Sequence, residues 1–201
     1  MQHTAARVTT PREGVRITTK PHPIRVEANG RARLAPMILR PMTPADLPGV
    51  LAVQAACYEP AYHEPQAAFH TKLTQCAETC WVSVQDASVA AYLVCLPVTD
   101  AALPALHQAD WQRPRRASAL YLHDLAVSPT LRGSGAASRL IEQAIQAARA
   151  SGLSSLVLVA VQGSVPFWQK HGFEDARLPD ARRPASLQTF GPTATFMTRP
   201  A

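Results

Sequence analysis

Two glycines stand one residue apart in the stretch SPTLRGSGAASRL, residues 128–140, although the 201-residue chain has only nine glycines. The stretch lies between the apolar run ALYLHDLAV and a segment with helical periodicity. Glycine lets the backbone turn and approach a ligand closely because it has no Cβ. The N–H groups that open a helix have no partner within it, so a turn of this kind is typical of an anion-binding site.

Two nucleotide-binding turns match this stretch poorly. A P-loop ends in Gly-Lys-Ser/Thr, whereas this turn continues as Ala136-Ala137-Ser138 and has no lysine. A dinucleotide fingerprint fits better at Gly133, Gly135 and Ser138, but it also needs an acidic residue at the end of the next strand to hold the ribose. The next apolar run, LVLVAVQG, has no acidic residue. A P-loop is therefore excluded, and a dinucleotide site is weakly supported.

A third pattern, R-x-x-G-x-A, is matched by Arg132, Gly135 and Ala137. Together with FWQKHGFE, which is similar to an F-Y-x-x-x-G-F-E signature, it makes the chain resemble the GNAT superfamily of acyl-CoA-dependent N-acetyltransferases. ILRPMTPADLP and DLAVSP also resemble family segments, and the resemblance covers roughly residues 37–199.

The resemblance implies a fold and an activity. The fold is of the α/β class, with a mixed, mostly antiparallel sheet that is splayed at its central strand and has helices on both faces. The activity is transfer of an acetyl group from acetyl-CoA to a primary amine of a small molecule or protein, by direct attack in a ternary complex and without a metal. The alternative is a non-catalytic acyl-CoA-binding sensor or interaction module on the same fold.

The resemblance also implies where acetyl-CoA binds. The glycine turn and Arg132 would hold the pyrophosphate, and the amides of the pantetheine arm would lie along a free strand edge. An N–H of that edge would face the thioester oxygen. The expected cofactor-binding residues are Leu125, Ala126, Val127, Arg132, Gly133, Ser134, Gly135, Ala136, Ala137, Phe167 and Trp168. For Phe167 and Trp168 the alternative is a position in the core.

Proton transfer has no obvious acid in this sequence. The family often has a tyrosine acid at the position of Trp168. An indole N–H donates a hydrogen bond but does not deliver a proton at neutral pH. Either the leaving thiolate takes its proton from water or from another side chain, or the domain binds acyl-CoA without rapid turnover.

Tyr121, His123 and Asp124 are the candidate catalytic residues, on the strand that precedes the turn. Alternation along a strand sends His123 and Asp124 to opposite faces, so only one of them is expected in the acyl site. A histidine titrates near neutral pH, which favours His123 as the base, and Tyr121 shares its face. The alternative is that His123 is a satisfied strand residue and that Asp124 holds a loop.

The stretch CYEPAYHEP falls where the family builds its loop for the amine acceptor. Acidic side chains there would suit a cationic amine, and a solvated loop is the alternative interpretation. The residues concerned are Glu59, Tyr62, His63 and Glu64.

The elements around these residues follow from hydrophobic periodicity and turn signals. The pattern predicts strands at ILR, CWVSVQ, SVAAYLVCLPV, ALYLHDLAV, SSLVLVAV and ATFMTR, with a hairpin at Asp86 and Ala87. It predicts helices after TPAD, from about Pro65 to Gln75, from about Ala136 to Ala150 and within SVPFWQKHGF. Residues 99–117 are predicted to form a long loop.

Charge divides the chain into two parts. Residues 1–36 carry seven basic and two acidic residues, which account for most of the net charge of +6. They predict a basic, flexible N-terminal extension before a domain at residues 37–201. The other 165 residues carry a net charge of only +1, so a nucleic-acid partner is not expected, and nucleic-acid binding through the extension is the weaker alternative. No apolar run is long enough to cross a membrane, and the four cysteines are expected to be reduced thiols of a cytoplasmic protein. The amine acceptor, the acyl-chain preference and the oligomeric state, a homodimer included, stay open.

Overall fold

The computed structural model describes residues 36–99, 102–177 and 184–201. The expected N-terminal extension at residues 1–36 lies, except for residue 36, outside the described residues. In the described ranges the strands are β1 (Ile38–Pro41), β2 (Cys80–Gln85), β3 (Ser88–Val98), β4 (Ala119–Val127), β5 (Ser155–Ala160), β6 (Glu174–Asp175) and β7 (Thr195–Pro200). The α-helices are α1 (Leu47–Cys57), α2 (Gln66–Cys76), α3 (Ala136–Ala150) and α4 (Val165–Lys170).

The strands form one seven-stranded sheet in the order β1-β2-β3-β4-β5-β7-β6. Only β4 and β5 run parallel to each other, and the other neighbouring pairs are antiparallel. The chain crosses from β4 to β5 through α3, as a parallel connection requires. The predicted mixed, mostly antiparallel sheet is thus confirmed.

The predicted hairpin between β2 and β3 is also confirmed. Gln85 pairs with Ser88, and the two residues between them, Asp86 and Ala87, have φ values of 49° and 61°. Two positive φ values in a two-residue connection are the geometry that matches the twist of the flanking strands.

Apolar side chains cover both faces of the sheet. One buried cluster joins α1 and α2 to the sheet through residues such as Val50, Phe69 and Tyr92. A second cluster joins α3 and α4 to the other face through Leu140, Trp168 and their neighbours. The central strands are therefore buried on both sides, and they hold the candidate site rigidly at the C-terminal end of β4. Among the described residues no helix is both long and apolar enough to span a bilayer.

Candidate functional site

The sheet opens next to the C-terminal half of β4. Strand β5 pairs with β4 only from Ala119 to Leu122, so β5 does not cover the backbone of residues 123–127 on that side. On the opposite side β3 pairs with β4 up to Val127, and the N–H of Ser128 donates to the Ala90 carbonyl. Since backbone groups alternate along a strand, those of Leu125 and Val127 point into the opening.

Two side chains from the end of α1 reach this exposed edge. The Tyr58 hydroxyl donates a hydrogen bond to the Leu125 carbonyl at 2.7 Å, and the Cys57 thiol donates to the Val127 carbonyl at 3.2 Å. The expected free edge therefore exists, but two of its carbonyls already have partners. A ligand strand would use the N–H groups of Leu125 and Val127, or displace one of these two side chains.

The glycine turn lies beside this edge and opens α3. Gly133 and Gly135 have φ values of 81° and 82°, a left-handed conformation that side chains other than glycine adopt at a cost. An added Cβ would meet no atom within 4 Å at either position, so the backbone faces open space. In the described part of the chain the N–H groups of Gly133, Gly135, Ala137 and Ser138 have no acceptor. Unpaired donors at the start of a 15-residue helix are well suited to bind an anion.

Edge and turn line one cavity of about 620 Å³. Ten of the eleven expected cofactor-binding residues are among its lining residues, the exception being Ser134. Ser134 instead shapes the turn. Its hydroxyl oxygen accepts a hydrogen bond from the Ala136 N–H at 3.3 Å, and its backbone N–H donates to the Leu131 carbonyl at 3.1 Å. His123 and Asp124 line the cavity as well, whereas Tyr121 does not.

The expectation that His123 and Asp124 lie on opposite faces is wrong. Asp124 pairs with Val94 but Leu122 pairs with the next residue, Cys95, so His123 is the extra residue of a β-bulge. A bulge interrupts the alternation of side chains along the strand. Both side chains consequently reach the same cavity.

Asp124 is a buried carboxylate with one oxygen engaged. Its Oδ2 accepts the Tyr92 hydroxyl at 2.8 Å, while Oδ1 is buried without a partner in the described part of the chain. Burial raises the pKa of Asp124 to about 6, against the lowering effect of His123 and the hydroxyls of Tyr92 and Tyr58. At neutral pH this carboxyl is mostly ionised and can bind a cation.

His123 is held from behind by Glu64. The ring Nε2 lies 3.0 Å from Glu64 Oε2, and the same carboxylate accepts two hydrogen bonds from Lys72 Nζ at 2.9 and 2.7 Å. Burial raises the pKa of Glu64, but the charges and hydrogen bonds of His123 and Lys72 outweigh it and bring the pKa down to about 2. The other ring nitrogen, Nδ1, has no partner in the described part of the chain.

Tyr121 packs behind the site. Its ring lies 5.4 Å from that of His123, and the residue is fully buried. Burial raises the pKa of its hydroxyl above the ordinary value, so the hydroxyl stays protonated. Its contact with His123 supports the ring rather than forming the cavity wall.

The aromatic pair after β5 belongs to both the core and the cavity. The rings of Phe167 and Trp168 are 5.0 Å apart, and Trp168 also packs edge-on against Phe173 at 5.5 Å. Trp168 is only 8% exposed, yet both Phe167 and Trp168 line the cavity. The two interpretations of this pair are thus compatible.

The expected acceptor loop divides in two. Tyr62 and Glu64 line the cavity, and the Tyr62 hydroxyl donates to the Phe190 carbonyl at 3.3 Å. Glu59 is exposed outside the cavity, and His63 instead contacts the Tyr58 carbonyl through Nε2 at 2.9 Å. Glu64 is buried rather than solvated, since its carboxylate pairs with Lys72 and contacts His123 Nε2.

Four residues that contact the site were not expected from the sequence: Cys57, Tyr58, Lys72 and Tyr92. For Lys72 a signal existed, because it falls in the apolar stripe of α2 formed by Ala68, Phe69, Leu73 and Cys76. A lysine within such a stripe must find a partner when the helix packs. Tyr58 lies in the CYEPAYHEP stretch but was not among the residues expected there. Tyr92 has no comparable signal, since a tyrosine within a strand is most often a core residue.

Comparison with solved structures shows the fold. GphF, titled a GNAT-like decarboxylase in complex with isobutyryl-CoA, has 19% sequence identity and a TM-score of 0.64, covering 81% of this chain and 98% of its own. Ard1 from Thermoplasma volcanium has 17% identity and a TM-score of 0.61, with 82% and 97% covered. The loading GNATL domain of CurA from Lyngbya majuscula has 15% identity and a TM-score of 0.65, with 81% and 96% covered.

Comparison of the sequence shows the family. No curated protein sequence matches this chain. The family model described as the acetyltransferase (GNAT) family matches residues 47–173, a range that includes α1, the bulged strand β4, the glycine turn and the Phe167–Trp168 pair. Since this range is more than half of the chain, the protein belongs to the acetyltransferase (GNAT) family.

Proposed function

We propose that this protein is an N-acetyltransferase that moves the acetyl group of acetyl-CoA to a primary amine by direct attack in a ternary complex. One observation carries the proposal: a single cavity is lined both by the turn with unpaired helix N–H groups and by Asp124 and His123, each of which has one buried polar atom without a partner among the described residues. Residues 37–201 would form the catalytic domain, and residues 1–36 would be an extension of it.

The residues of the cavity fit acetyl-CoA. The N–H groups of Gly133, Gly135 and Ala137 suit the pyrophosphate, and Arg132 on the cavity wall adds positive charge. The amides of the pantetheine arm suit the uncovered edge at Leu125 and Val127. When bound, acetyl-CoA supplies the thioester carbon that the amine attacks.

Asp124 and His123 would handle the amine. The ionised carboxyl of Asp124, with Oδ1 free, attracts the acceptor as an ammonium ion. His123 Nδ1 then removes a proton from the amine nitrogen, which is required before that nitrogen can form its bond to carbon. An edge N–H donates to the developing oxyanion.

The leaving thiolate still needs a proton donor, because Trp168 stands where the family often has a tyrosine. The Tyr58 hydroxyl already donates to the Leu125 carbonyl at the edge. Burial raises the pKa of this hydroxyl well above its usual value, so it remains protonated at neutral pH. We therefore assign Tyr58 to stabilising the thiolate by a hydrogen bond, for which its hydroxyl hydrogen turns from the Leu125 carbonyl to the sulfur. The thiolate then takes its proton from water.

The charge of the cavity distinguishes this reaction from two rivals. GphF is titled a GNAT-like decarboxylase, and decarboxylation needs an acyl group with a free carboxylate. Beside the cavity of this protein, the opposite charges of Lys72 and Glu64 offset each other. The Asp124 carboxylate then remains as a negative charge. Such a site favours an ammonium ion over a carboxylate. A non-catalytic sensor would not need an unpartnered imidazole nitrogen beside the Asp124 carboxylate.

The test is thioester consumption by the full chain with a panel of primary amines. We expect acetyl-CoA to be consumed with at least one amine, and malonyl-CoA to release no CO₂. Release of CO₂ from malonyl-CoA would favour the decarboxylase. Tight acetyl-CoA binding without turnover across polyamines, amino acids, aminoglycosides and peptide N-termini would favour the sensor.

Trp168 provides an optical test of the binding site. Trp168 lines the cavity, whereas the other two tryptophans, Trp81 and Trp111, are buried outside it. Acetyl-CoA is expected to change tryptophan emission in the wild type, and Trp168→Phe is expected to remove most of that change. Trp81→Phe is the matched control and should keep it. An unchanged response in Trp168→Phe would show that the cofactor does not contact Trp168.

A further inference from the structure

A lysine is fully buried behind the proposed base. Lys72 has no exposed surface, and its Nζ donates to both oxygens of Glu64, whose side chain is 2% exposed. Glu64 Oε1 also accepts the His107 N–H at 3.1 Å. A buried ion pair is expensive to desolvate and rarely adds net stability, so its presence here calls for a reason other than packing.

Gln54 fixes this pair in place. Its side-chain amide donates to the Glu64 carbonyl at 3.1 Å, and its oxygen accepts the Glu64 N–H at 2.9 Å. Gln54 is itself 3% exposed. The Glu64 backbone is therefore clamped to α1, while its side chain is clamped to α2 through Lys72.

The Lys72–Glu64 ion pair decides which ring nitrogen of His123 carries the hydrogen. An ionised carboxylate only accepts hydrogen bonds, so the hydrogen in the contact between His123 Nε2 and Glu64 Oε2 belongs to the imidazole. In the neutral ring the lone pair then lies on Nδ1. That atom has no partner among the described residues and belongs to a side chain that lines the cavity.

We propose that Lys72 is a positioning residue for the reaction of the preceding subsection: its ammonium cancels the charge of Glu64, so that Glu64 holds His123 through Nε2–H without turning the ring into a permanent imidazolium. The inference rests on the proposed function for the role of His123 as base. The geometry of the three side chains does not depend on it.

The electrostatic surroundings of His123 make the sign of each change clear. The charged groups facing it are Glu64 and Lys72 behind the ring and Asp124 beside it, and Tyr121 contacts it with an uncharged ring. With both members of the pair present, their charges cancel. Removing Lys72 leaves a bare carboxylate that stabilises the imidazolium, whereas removing Glu64 leaves a bare ammonium that destabilises it.

The experiment compares Lys72→Met, Glu64→Gln and the double variant. One readout is the NMR titration of the His123 ring, identified among the seven histidines by its absence in His123→Gln. The other is the acidic limb of kcat/KM against pH. We expect both to move up by about one pH unit in Lys72→Met and down by about one unit in Glu64→Gln. The double variant should return close to the wild type.

A control separates charge from loss of stability. Arg40→Met breaks an ion pair to Asp46 at 2.6 Å that does not line the cavity. This variant is expected to lower the unfolding temperature while leaving the His123 titration unchanged. If Lys72→Met and Glu64→Gln moved the titration in the same direction, or not at all, the pair would be structural and the proposal overturned.

The two readouts also separate this inference from the proposed function. The NMR titration needs no turnover. Opposite shifts of the His123 titration in Lys72→Met and Glu64→Gln, in a protein that is inactive toward every amine, would support the positioning role of Lys72 and contradict the proposed N-acetyltransferase activity. Opposite shifts in the NMR titration with a pH profile that does not follow them would show that His123 is not the base. If one of the two single variants fails to fold, the other single variant and the double variant still give the direction in which the His123 titration shifts.

Discussion

Gly135→Asp is expected to weaken acetyl-CoA binding by at least about 100-fold, measured by calorimetric titration of the full chain. Two physical effects act together. Gly135 has a φ of 82°, which a residue with a Cβ adopts at a cost. The new carboxylate would also stand among the unpaired N–H groups that open α3, where it would repel the pyrophosphate and occupy its donors.

Two controls separate these effects. Gly135→Asn has nearly the same shape, tolerates a positive φ better than most residues and carries no charge, so it should keep much more of the affinity. Gly152→Asp places the same substitution at another positive φ, 67°, just beyond the far end of α3. It should bind acetyl-CoA as the wild type does. Unchanged binding in Gly135→Asp would mean that the pyrophosphate site has been misplaced.

His123→Ala is expected to lower kcat/KM by about 10²- to 10⁴-fold at pH 7, since general-base catalysis contributes on this scale. Binding of acetyl-CoA should not change, because the turn and the edge remain. The measurement is steady-state turnover of the amine found in the panel, with calorimetry as the binding control. Free imidazole, which can enter the space left by the ring, is expected to restore part of the rate.

Asp124→Asn tests the other half of the assignment. This variant keeps the shape of the side chain but removes the negative charge that would attract an ammonium ion. We expect a larger effect on the KM for the amine than on kcat. If Asp124→Asn abolished kcat while His123→Ala did not, the base would be Asp124. A fall in acetyl-CoA affinity in either variant would show that these residues hold the cofactor instead.

Much of the fold was predictable because its signals are local. The hairpin at Asp86 and Ala87, the start of α3 after Gly135 and the end of that helix before Gly152 each depend on the conformations that a few neighbouring residues allow. Apolar periodicity predicted every strand of the sheet except the two-residue β6. The turn proposed to bind the pyrophosphate is local as well, since a helix N-terminus carries its unpaired N–H groups with it. The edge at residues 125–127 was expected from the family resemblance instead.

The surroundings of His123 and Asp124 could not be predicted in this way, because their geometry depends on residues far apart in the chain. Strict alternation separates His123 from Asp124, and only the pairing of β4 with β3 shows the bulge that brings them together. Glu64 was expected in a solvated acceptor loop or facing an amine. The packing of α2 against the sheet instead buries it between Lys72 and His123.

The sequence by itself determined the glycine turn, the order of the elements and the resemblance to a family, since these depend on short segments. The tertiary structure alone decided which side chains share the cavity, which carbonyls of the β4 edge are occupied by Tyr58 and Cys57, and which charges cancel. The physical reason is that burial and charge pairing depend on distance in space. The chain brings Glu64 and His123 to within 3.0 Å across 59 positions of sequence, and no local pattern records that contact.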